Sequence, residues 1–134
     1  MYTVIREIHF SYGHRLRDYS GKCRHLHGHN GKVEVEIRSE VLDSTGMVTD
    51  FGEMKRKLQG WIDAELDHRM LLRRDDPVIP MIKGLEEPLV LLDQNPTAEY
   101  IARLIYEGAK KMGLPVKSVR LWETAYASAV YSES

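Results

Sequence analysis

Alternation of apolar and polar residues predicts four strands in this chain. A period of two is typical of an antiparallel strand with one buried face and one wet face. The second strand shows the period most clearly, because Val33, Val35 and Ile37 alternate with charged residues. The predicted strands are residues 2–10, 32–40, 116–123 and 125–131.

Apolar residues at helical spacing predict two helices. The first has a capping-box-like start formed by Asp50 and Glu53, and its apolar stripe is Phe51, Met54, Leu58, Trp61 and Ile62. The second begins at Asn95-Pro96 and ends at Gly113, and its stripe is Ile101, Leu104, Ile105 and Met112. Residues 73–95 are predicted to be irregular, apart from an edge strand at residues 89–92.

The order strand, strand, helix, helix, strand, strand predicts an α+β fold with a four-stranded antiparallel sheet and two helices on one face. The 134 residues suit one domain, residues 1–134. The edges of such a sheet must be protected, and joining the sheets of neighbouring subunits protects them. The pattern therefore agrees with an oligomer.

Charge and composition argue against several classes of protein. The chain has 19 Lys and Arg against 20 Asp and Glu, so it lacks the overall basic footprint of a nucleic-acid-binding protein. No apolar stretch approaches the ~18 residues of a membrane span, and the first residues do not resemble a signal peptide. The one cysteine cannot form an internal disulfide. We therefore expect a cytoplasmic protein that binds neither nucleic acid nor membrane.

The residues best suited to chemistry are concentrated in one segment. Five of the seven His and Cys residues fall within sixteen positions: His14, Cys23, His25, His27 and His29. In an extended segment, residues two apart point to the same side, so His27 and His29 can reach one ion. With His14 they supply three nitrogens and leave a fourth position open, as catalytic zinc requires.

Competing interpretations of this segment stay open. Any one of these histidines alone would be read as a surface residue, but three at this spacing favour a metal site. A zinc finger is less favoured, because structural zinc sites use two to four cysteines. Cys23 can be a fourth ligand, a small buried residue or a reactive thiol, and the flanking Lys22 and Arg24 favour the thiol. His25 is out of pattern: alternation places it on the same face as His27, so it can be a spare ligand, but an accessory surface residue is favoured.

Two weaker signals accompany the histidines. Five basic residues and one acid lie between Gly13 and Lys32, which suits an anionic substrate and equally a solvated loop. Asp67-His68 follows the first predicted helix. The pair can be a carboxylate that orients a histidine for proton transfer, or a histidine favoured by the helix dipole.

Together, these segments resemble the 6-pyruvoyltetrahydropterin synthase and 6-carboxytetrahydropterin synthase family. The matching motifs keep the family's order and span nearly the whole chain. They are Phe10-Ser11-Tyr12-Gly13-His14, Cys23-x3-His27-Gly28-His29-Asn30-Gly31, Gly46-Met47-Val48-x-Asp50-Phe51, Leu66-Asp67-His68, Asn95-Pro96-Thr97-Ala98-Glu99 and Trp122-Glu123-Thr124.

The resemblance implies the tunnelling fold, in which subunit sheets join into a barrel, commonly as a homohexamer of two stacked trimers. It implies zinc on His14, His27 and His29. It implies a catalytic group of Cys23, Asp67 and His68, the last two from a neighbouring subunit. It also implies that Glu123 anchors the amino and ring N–H groups of a pterin, in a pocket lined in part by Thr97 and Glu99.

The resemblance implies 7,8-dihydroneopterin triphosphate as the substrate, and two branches of the family differ in product. One branch eliminates triphosphate and makes a 6-pyruvoyl product. The other also releases acetaldehyde and leaves a 6-carboxy group, on the way to queuosine and related deazapurines. Three residues separate Cys23 from His27, a spacing similar to the carboxy branch, which we therefore expect. The alternatives are the pyruvoyl synthase and a non-catalytic oligomer that binds pterin or metal.

Overall fold

The computed structural model describes residues 1–133 and contains one six-stranded sheet in the order β4-β3-β1-β2-β5-β6. The strands are β1 (Tyr2–His14), β2 (His27–Ser39), β3 (Arg69–Arg73), β4 (Leu89–Leu92), β5 (Val116–Trp122) and β6 (Ser128–Tyr131). The helices are α1 (Phe51–Glu65), α2 (Ile79–Gly84) and α3 (Ala98–Lys111), and a 3-10 turn covers Lys22–Arg24.

The four predicted strands are confirmed as the antiparallel part of the sheet, β1, β2, β5 and β6. One face of this part packs against α1 and α3, and the predicted apolar positions Val33, Val35 and Ile37 are fully buried there. They share the core with Ile8, Phe10, Met54, Leu58, Ile62, Ile101 and Ile105. The predicted α+β arrangement, with two long helices on one face, is therefore correct.

The sheet has more strands than the four-stranded antiparallel sheet that was predicted, because β3 and β4 add two short parallel strands beside the end of β1, and of these β3 was not predicted. Leu71 faces the main core, whereas Leu72 packs under α2 on the other side of the sheet. A strand covered on both faces shows no alternation, so β3 carries no period-two signal. The predicted edge strand at residues 89–92 is confirmed as β4, and α2 lies within the stretch predicted to be irregular.

The helix starts follow local hydrogen bonding. The α1 start is as predicted, since the Asp50 carboxylate accepts from the Glu53 N–H at 2.9 Å, although Phe51 is 52% exposed and does not join the core.

The predicted start of α3 was wrong. Thr97 caps this helix by accepting from the Tyr100 N–H at 3.1 Å. Asn95 instead hydrogen-bonds the backbone N–H and carbonyl of Arg17, each at 2.8 Å.

Both long strands extend further than predicted. β1 continues from residue 10 to His14, and β2 begins at His27 instead of residue 32. The predicted metal-binding histidines therefore lie on paired strands and not in a loop. Among the described residues, no helix is both long enough and apolar enough to cross a membrane.

Candidate metal centre and active site

The β1–β2 hairpin brings His14, His27 and His29 together. His14 is the cross-strand partner of His27, and Tyr12 is the partner of His29. Residues directly opposite each other in an antiparallel pair project on the same face, so all three imidazoles lie on the helix-covered face. One ring nitrogen from each histidine lies within 4.8 Å of the other two. This cluster can hold a metal ion.

Backbone carbonyls fix the tautomers of two of these histidines. His14 Nδ1 lies 2.7 Å from the Pro96 carbonyl oxygen, and His27 Nδ1 lies 2.6 Å from the His25 carbonyl oxygen. Because a carbonyl oxygen only accepts, each neutral ring carries its proton on Nδ1 and presents a lone pair at Nε2. The two Nε2 atoms are 3.0 Å apart. Two lone pairs that face each other are stabilised by a shared cation.

His29 supplies a third available nitrogen. Its Nε2 atom is buried and has no hydrogen-bond partner among the described residues. An unpartnered buried nitrogen costs free energy unless something binds it. The donor set therefore fits a metal ion held by three imidazoles.

The surroundings of His14 and His29 favour the neutral form of these two rings. Burial lowers the pKa of His14, and the neighbouring His27 and His29 lower it further, while the Pro96 carbonyl and Glu123 oppose the shift. Burial also lowers the pKa of His29, against the attraction of Glu123. A lower pKa favours the unprotonated ring, which is the form that binds metal.

Glu123 lies beside the histidines, directly after β5. Its Oε1 atom is 3.5 Å from His14 Nε2 and 3.8 Å from His29 Nε2. The buried Tyr12 hydroxyl donates to the same oxygen at 3.1 Å. Burial, followed by the charge of Glu123, raises the pKa of Tyr12 far above its usual value, so the phenol stays protonated and acts as a donor.

Asp67 and His68 are anchored to the backbone of one β1 residue, Ser11. The Ser11 N–H donates to Asp67 Oδ1 at 2.9 Å, and the His68 N–H donates to the Ser11 carbonyl at 2.7 Å. His68 Nδ1 donates to Asp67 Oδ2 at 2.8 Å. Burial raises the pKa of Asp67, but the hydrogen bonds from Ser11 and His68 outweigh it and hold that pKa below its usual value.

His68 adopts a left-handed backbone conformation, with φ of 57°. This conformation is strained for a residue with a side chain, and such strain is concentrated at functional sites. Its side chain is 79% exposed and borders a groove of about 780 Å³. The other groove residues include Ser11, Gly13, Gly28, Asn30, Met81 and Leu85.

Cys23 occupies the 3-10 turn and is a half-buried free thiol. Its carbonyl accepts from the Leu16 N–H at 2.8 Å, which ties the turn to the chain just after β1. Among the described residues that border the groove beside His68, Cys23 is absent. Within the described part of one chain, this groove is therefore not shared by Cys23 and His68.

The remaining candidate residues have other structural roles. Thr97 caps α3, and together with Glu99 it borders a separate groove of about 390 Å³. His25 is exposed, as predicted, and its backbone carbonyl, rather than its ring, takes part in the centre by contacting His27. Arg15, one of the basic residues of the segment, is paired with the buried carboxylate of Asp76.

Sequence reasoning missed two contributors to the site, Tyr12 and the Pro96 carbonyl, and it also missed Asp76, the partner of Arg15. Tyr12 could have been found, because alternation along β1 places it on the same face as His14. The other two carried no signal in the sequence. The Pro96 contact uses a backbone atom 82 positions from His14, and the Asp76 contact uses an ordinary surface residue type 61 positions from Arg15.

The fold and the three-histidine cluster define an α+β protein with a candidate metal centre at the end of a β-hairpin. A family model described as 6-pyruvoyl tetrahydropterin synthase matches residues 3–134, and the chain belongs to this family. A relative from Rickettsia typhi is named 6-carboxy-5,6,7,8-tetrahydropterin synthase. It is 38% identical over 133 residues, which cover 92% of this chain and 95% of that protein.

Solved structures agree with this family. An uncharacterized protein from Wolinella succinogenes superimposes with a TM-score of 0.82 at 30% identity, covering 99% of this chain and 98% of the other. The 6-pyruvoyl tetrahydropterin synthase of Caenorhabditis elegans gives a TM-score of 0.73 at 26% identity, covering 99% and 96%. The family resemblance and the subunit fold expected from it are confirmed.

Proposed function

We propose that this protein converts 7,8-dihydroneopterin triphosphate and water into 6-carboxy-5,6,7,8-tetrahydropterin, acetaldehyde and triphosphate, and that it uses zinc. The observation that carries the proposal is the convergence of three imidazoles on one point in a chain of this family. The name of the Rickettsia typhi relative supports the carboxy product, as does the spacing of three residues between Cys23 and His27.

The proposed ligands of zinc are His14, His27 and His29. Three neutral imidazoles with one open position suit catalytic zinc, although other divalent ions accept the same donors. Bound zinc supplies a Lewis acid that acidifies a coordinated hydroxyl group. The Pro96 and His25 carbonyls support this role, because each one holds a ligand ring in the required tautomer.

Glu123 is the proposed anchor of the pterin ring. An ionised carboxylate accepts two hydrogen bonds side by side, which matches an amino group next to a ring N–H. Its position beside the histidines would place the substrate side chain toward the metal. Thr97 and Glu99 are proposed as more distant residues of the substrate pocket, with Thr97 also serving as a helix cap.

Cys23, Asp67 and His68 are proposed to move protons during the reaction. Asp67 is held as a carboxylate and orients His68 through Nδ1, which leaves the exposed Nε2 atom free to exchange a proton with substrate. Cys23 is proposed as the second acid–base group. Because Cys23 does not border the groove beside His68, we propose that the pair meets across a boundary between two subunits.

The sheet edges support assembly into an oligomer with shared sites. Among the described residues, β3 pairs with β1 only at Tyr12–His14, so the outer edge of residues 2–10 has no partner strand. The outer edge of β6 is likewise unpaired in the described chain. Exposed edges pair readily with other strands. Along the unpaired part of β1, Tyr2 and Ile5 are each at least half exposed. We propose that these edges join single-domain subunits into the barrel of a homohexamer.

A second candidate function is elimination of triphosphate alone, which gives a 6-pyruvoyl product. The description of the family model and the Caenorhabditis elegans structure favour it. The same residues can serve both reactions, since each begins with proton transfer at the substrate side chain. The two functions are therefore separated by their products.

The test is to incubate the zinc-loaded protein with 7,8-dihydroneopterin triphosphate and to measure acetaldehyde and triphosphate. We expect both, in equal amounts. Triphosphate without acetaldehyde would establish the pyruvoyl reaction, and neither product would indicate a binding protein without activity. Cys23→Ala, which removes the proposed acid–base thiol, is the negative control and should lose turnover while retaining zinc.

A further inference from the structure

We infer that Tyr12 is a positioning residue for substrate recognition, whose hydroxyl holds the Glu123 carboxylate in the orientation that reads the pterin ring. This inference rests on the proposed function, because it assigns Tyr12 a role through Glu123. The hydrogen bond that carries it joins the Tyr12 hydroxyl to Glu123 Oε1 at 3.1 Å. Tyr12 is 3% exposed, so water does not compete freely for this bond.

The Tyr12 ring is held on several sides. It stacks on Phe10 at a centroid distance of 5.1 Å, and it meets the His14 and His29 rings at 5.2 and 5.7 Å. These distances lie within the range of aromatic pairs, and the stacked contact with Phe10 and the edge-to-face contact with His14 are preferred arrangements. A ring fixed in this way points its hydroxyl in one direction, so it is suited to orient a neighbouring group.

The opposite strand leaves space for this ring. A Cβ atom built on Gly31 would lie 3.2 Å from Tyr12 Cε1 and 3.1 Å from Phe10 Cε1, both tighter than ordinary contact. Any larger residue at position 31 would push the two rings aside. The absence of a side chain at Gly31 therefore preserves the position from which Tyr12 reaches Glu123.

The location of Glu123 beside the histidines explains why its carboxylate needs a hydrogen-bond donor such as Tyr12. Its Oε1 atom is 3.5 Å from His14 Nε2, so the carboxylate is close enough to be drawn toward a cation held by the histidines. Recognition of two adjacent N–H groups requires both carboxylate oxygens to lie in the plane of the ligand. The phenol donates to the same oxygen that lies beside the histidines, so it fixes this oxygen and restrains rotation of the carboxylate.

The test compares wild type with Tyr12→Phe, which keeps the ring and removes only the hydroxyl. The probe is neopterin, whose binding is followed by its fluorescence. We expect the Kd of neopterin to rise roughly tenfold, as for loss of a hydrogen bond to a charged group. The KM for 7,8-dihydroneopterin triphosphate should rise by the same factor, with little change in kcat, because the lost interaction is made equally in ground state and transition state.

Tyr106→Phe is the matched control, since Tyr106 is also buried but lies in the helix layer, against Tyr131. It should bind neopterin as wild type does. In a Glu123→Ala background, Tyr12→Phe should cause no further loss of kcat/KM, because the residue through which it acts is gone.

An unchanged Kd and KM in Tyr12→Phe, with wild-type binding intact, would overturn the inference and leave the proposed function standing. A further loss in the Glu123→Ala background, or loss of zinc from Tyr12→Phe, would also overturn it, since the hydroxyl would then act elsewhere. A wild-type protein that binds no neopterin would contradict both the inference and the proposed function.

Discussion

At the scale of single residues, the tautomers set by two backbone carbonyls turn a group of histidines into a candidate metal centre. The carbonyl oxygen that contacts the His27 ring belongs to His25, two positions away. The one that contacts the His14 ring belongs to Pro96, which is 82 positions away. The spacing of the histidines could be read in the sequence. The direction of their lone pairs could not be read in the sequence, because for His14 it depends on the tertiary contact with the Pro96 carbonyl, just before α3.

The first prediction at this scale concerns zinc content. His29→Ala removes the buried nitrogen that has no hydrogen-bond partner among residues 1–133, so we expect zinc to fall from about one per chain to near zero. His25→Ala is the matched control: it removes a histidine from the same segment but keeps the backbone carbonyl that orients His27. It should retain its zinc. The measurement is metal analysis of both purified variants.

Equal zinc in the two variants would contradict the ligand assignment. Loss of zinc from His25→Ala alone would exchange the roles of the two residues. Circular dichroism of each variant would show whether a loss of metal follows from a loss of fold.

At the scale of elements, the sequence predicted the helices and strands that have one buried face and one exposed face. Residues such as Val35 and Met54 face a single core, so the periods of β2 and α1 are visible in their spacing. β3 was missed because Leu71 and Leu72 are buried on opposite faces. The start of α3 was misplaced because Asn95 is a good capping residue whose side chain is engaged by the backbone of Arg17 instead.

The second prediction concerns the contact between α1 and α3. A Cβ atom at Gly108 would lie 2.5 Å from the Trp61 ring, so Gly108→Ala must displace a large side chain. Overpacking should outweigh the gain in helix propensity and destabilise the protein by roughly 1–2 kcal/mol. Gly60→Ala is the control: no atom of the described residues lies within 4 Å of the added Cβ, so this variant should stabilise by roughly 0.5–1 kcal/mol.

Urea unfolding of both variants measures these free energies of unfolding. Opposite signs are expected, because an added methyl group meets the Trp61 ring at Gly108 and meets no described atom within 4 Å at Gly60. A stabilised Gly108→Ala variant would mean that Trp61 moves aside at little cost, and that the two helices are not closely packed at this point.

At the scale of the whole molecule, the single chain contains the candidate metal centre, but Cys23 and His68, two of the proposed proton-transfer residues, do not border the same described groove. Asp67 and His68 are fixed to Ser11, three residues before His14 and so roughly 10 Å along β1. His68 faces an open groove that Cys23 does not border. The sequence could name these residues through their motifs. It could not place them relative to one another, because that requires the arrangement of subunits.

The measurement that tests the central claim most directly is acetaldehyde release by a mixture of two inactive variants, Cys23→Ala and His68→Ala. Its readout is the proposed reaction, and its outcome depends on the roles of both residues and on a site shared between subunits. After subunit exchange, some boundaries join an intact Cys23 to an intact His68. We expect roughly a quarter of the wild-type rate if subunits mix at random.

The two variants measured separately and the mixture before exchange are the controls, and each should release no acetaldehyde. Exchange itself is followed independently, by mass spectrometry of differently labelled subunits. Recovery of acetaldehyde release only after exchange is the predicted result. Exchange without recovery would contradict the shared site, and full activity in either variant alone would remove that residue from the mechanism.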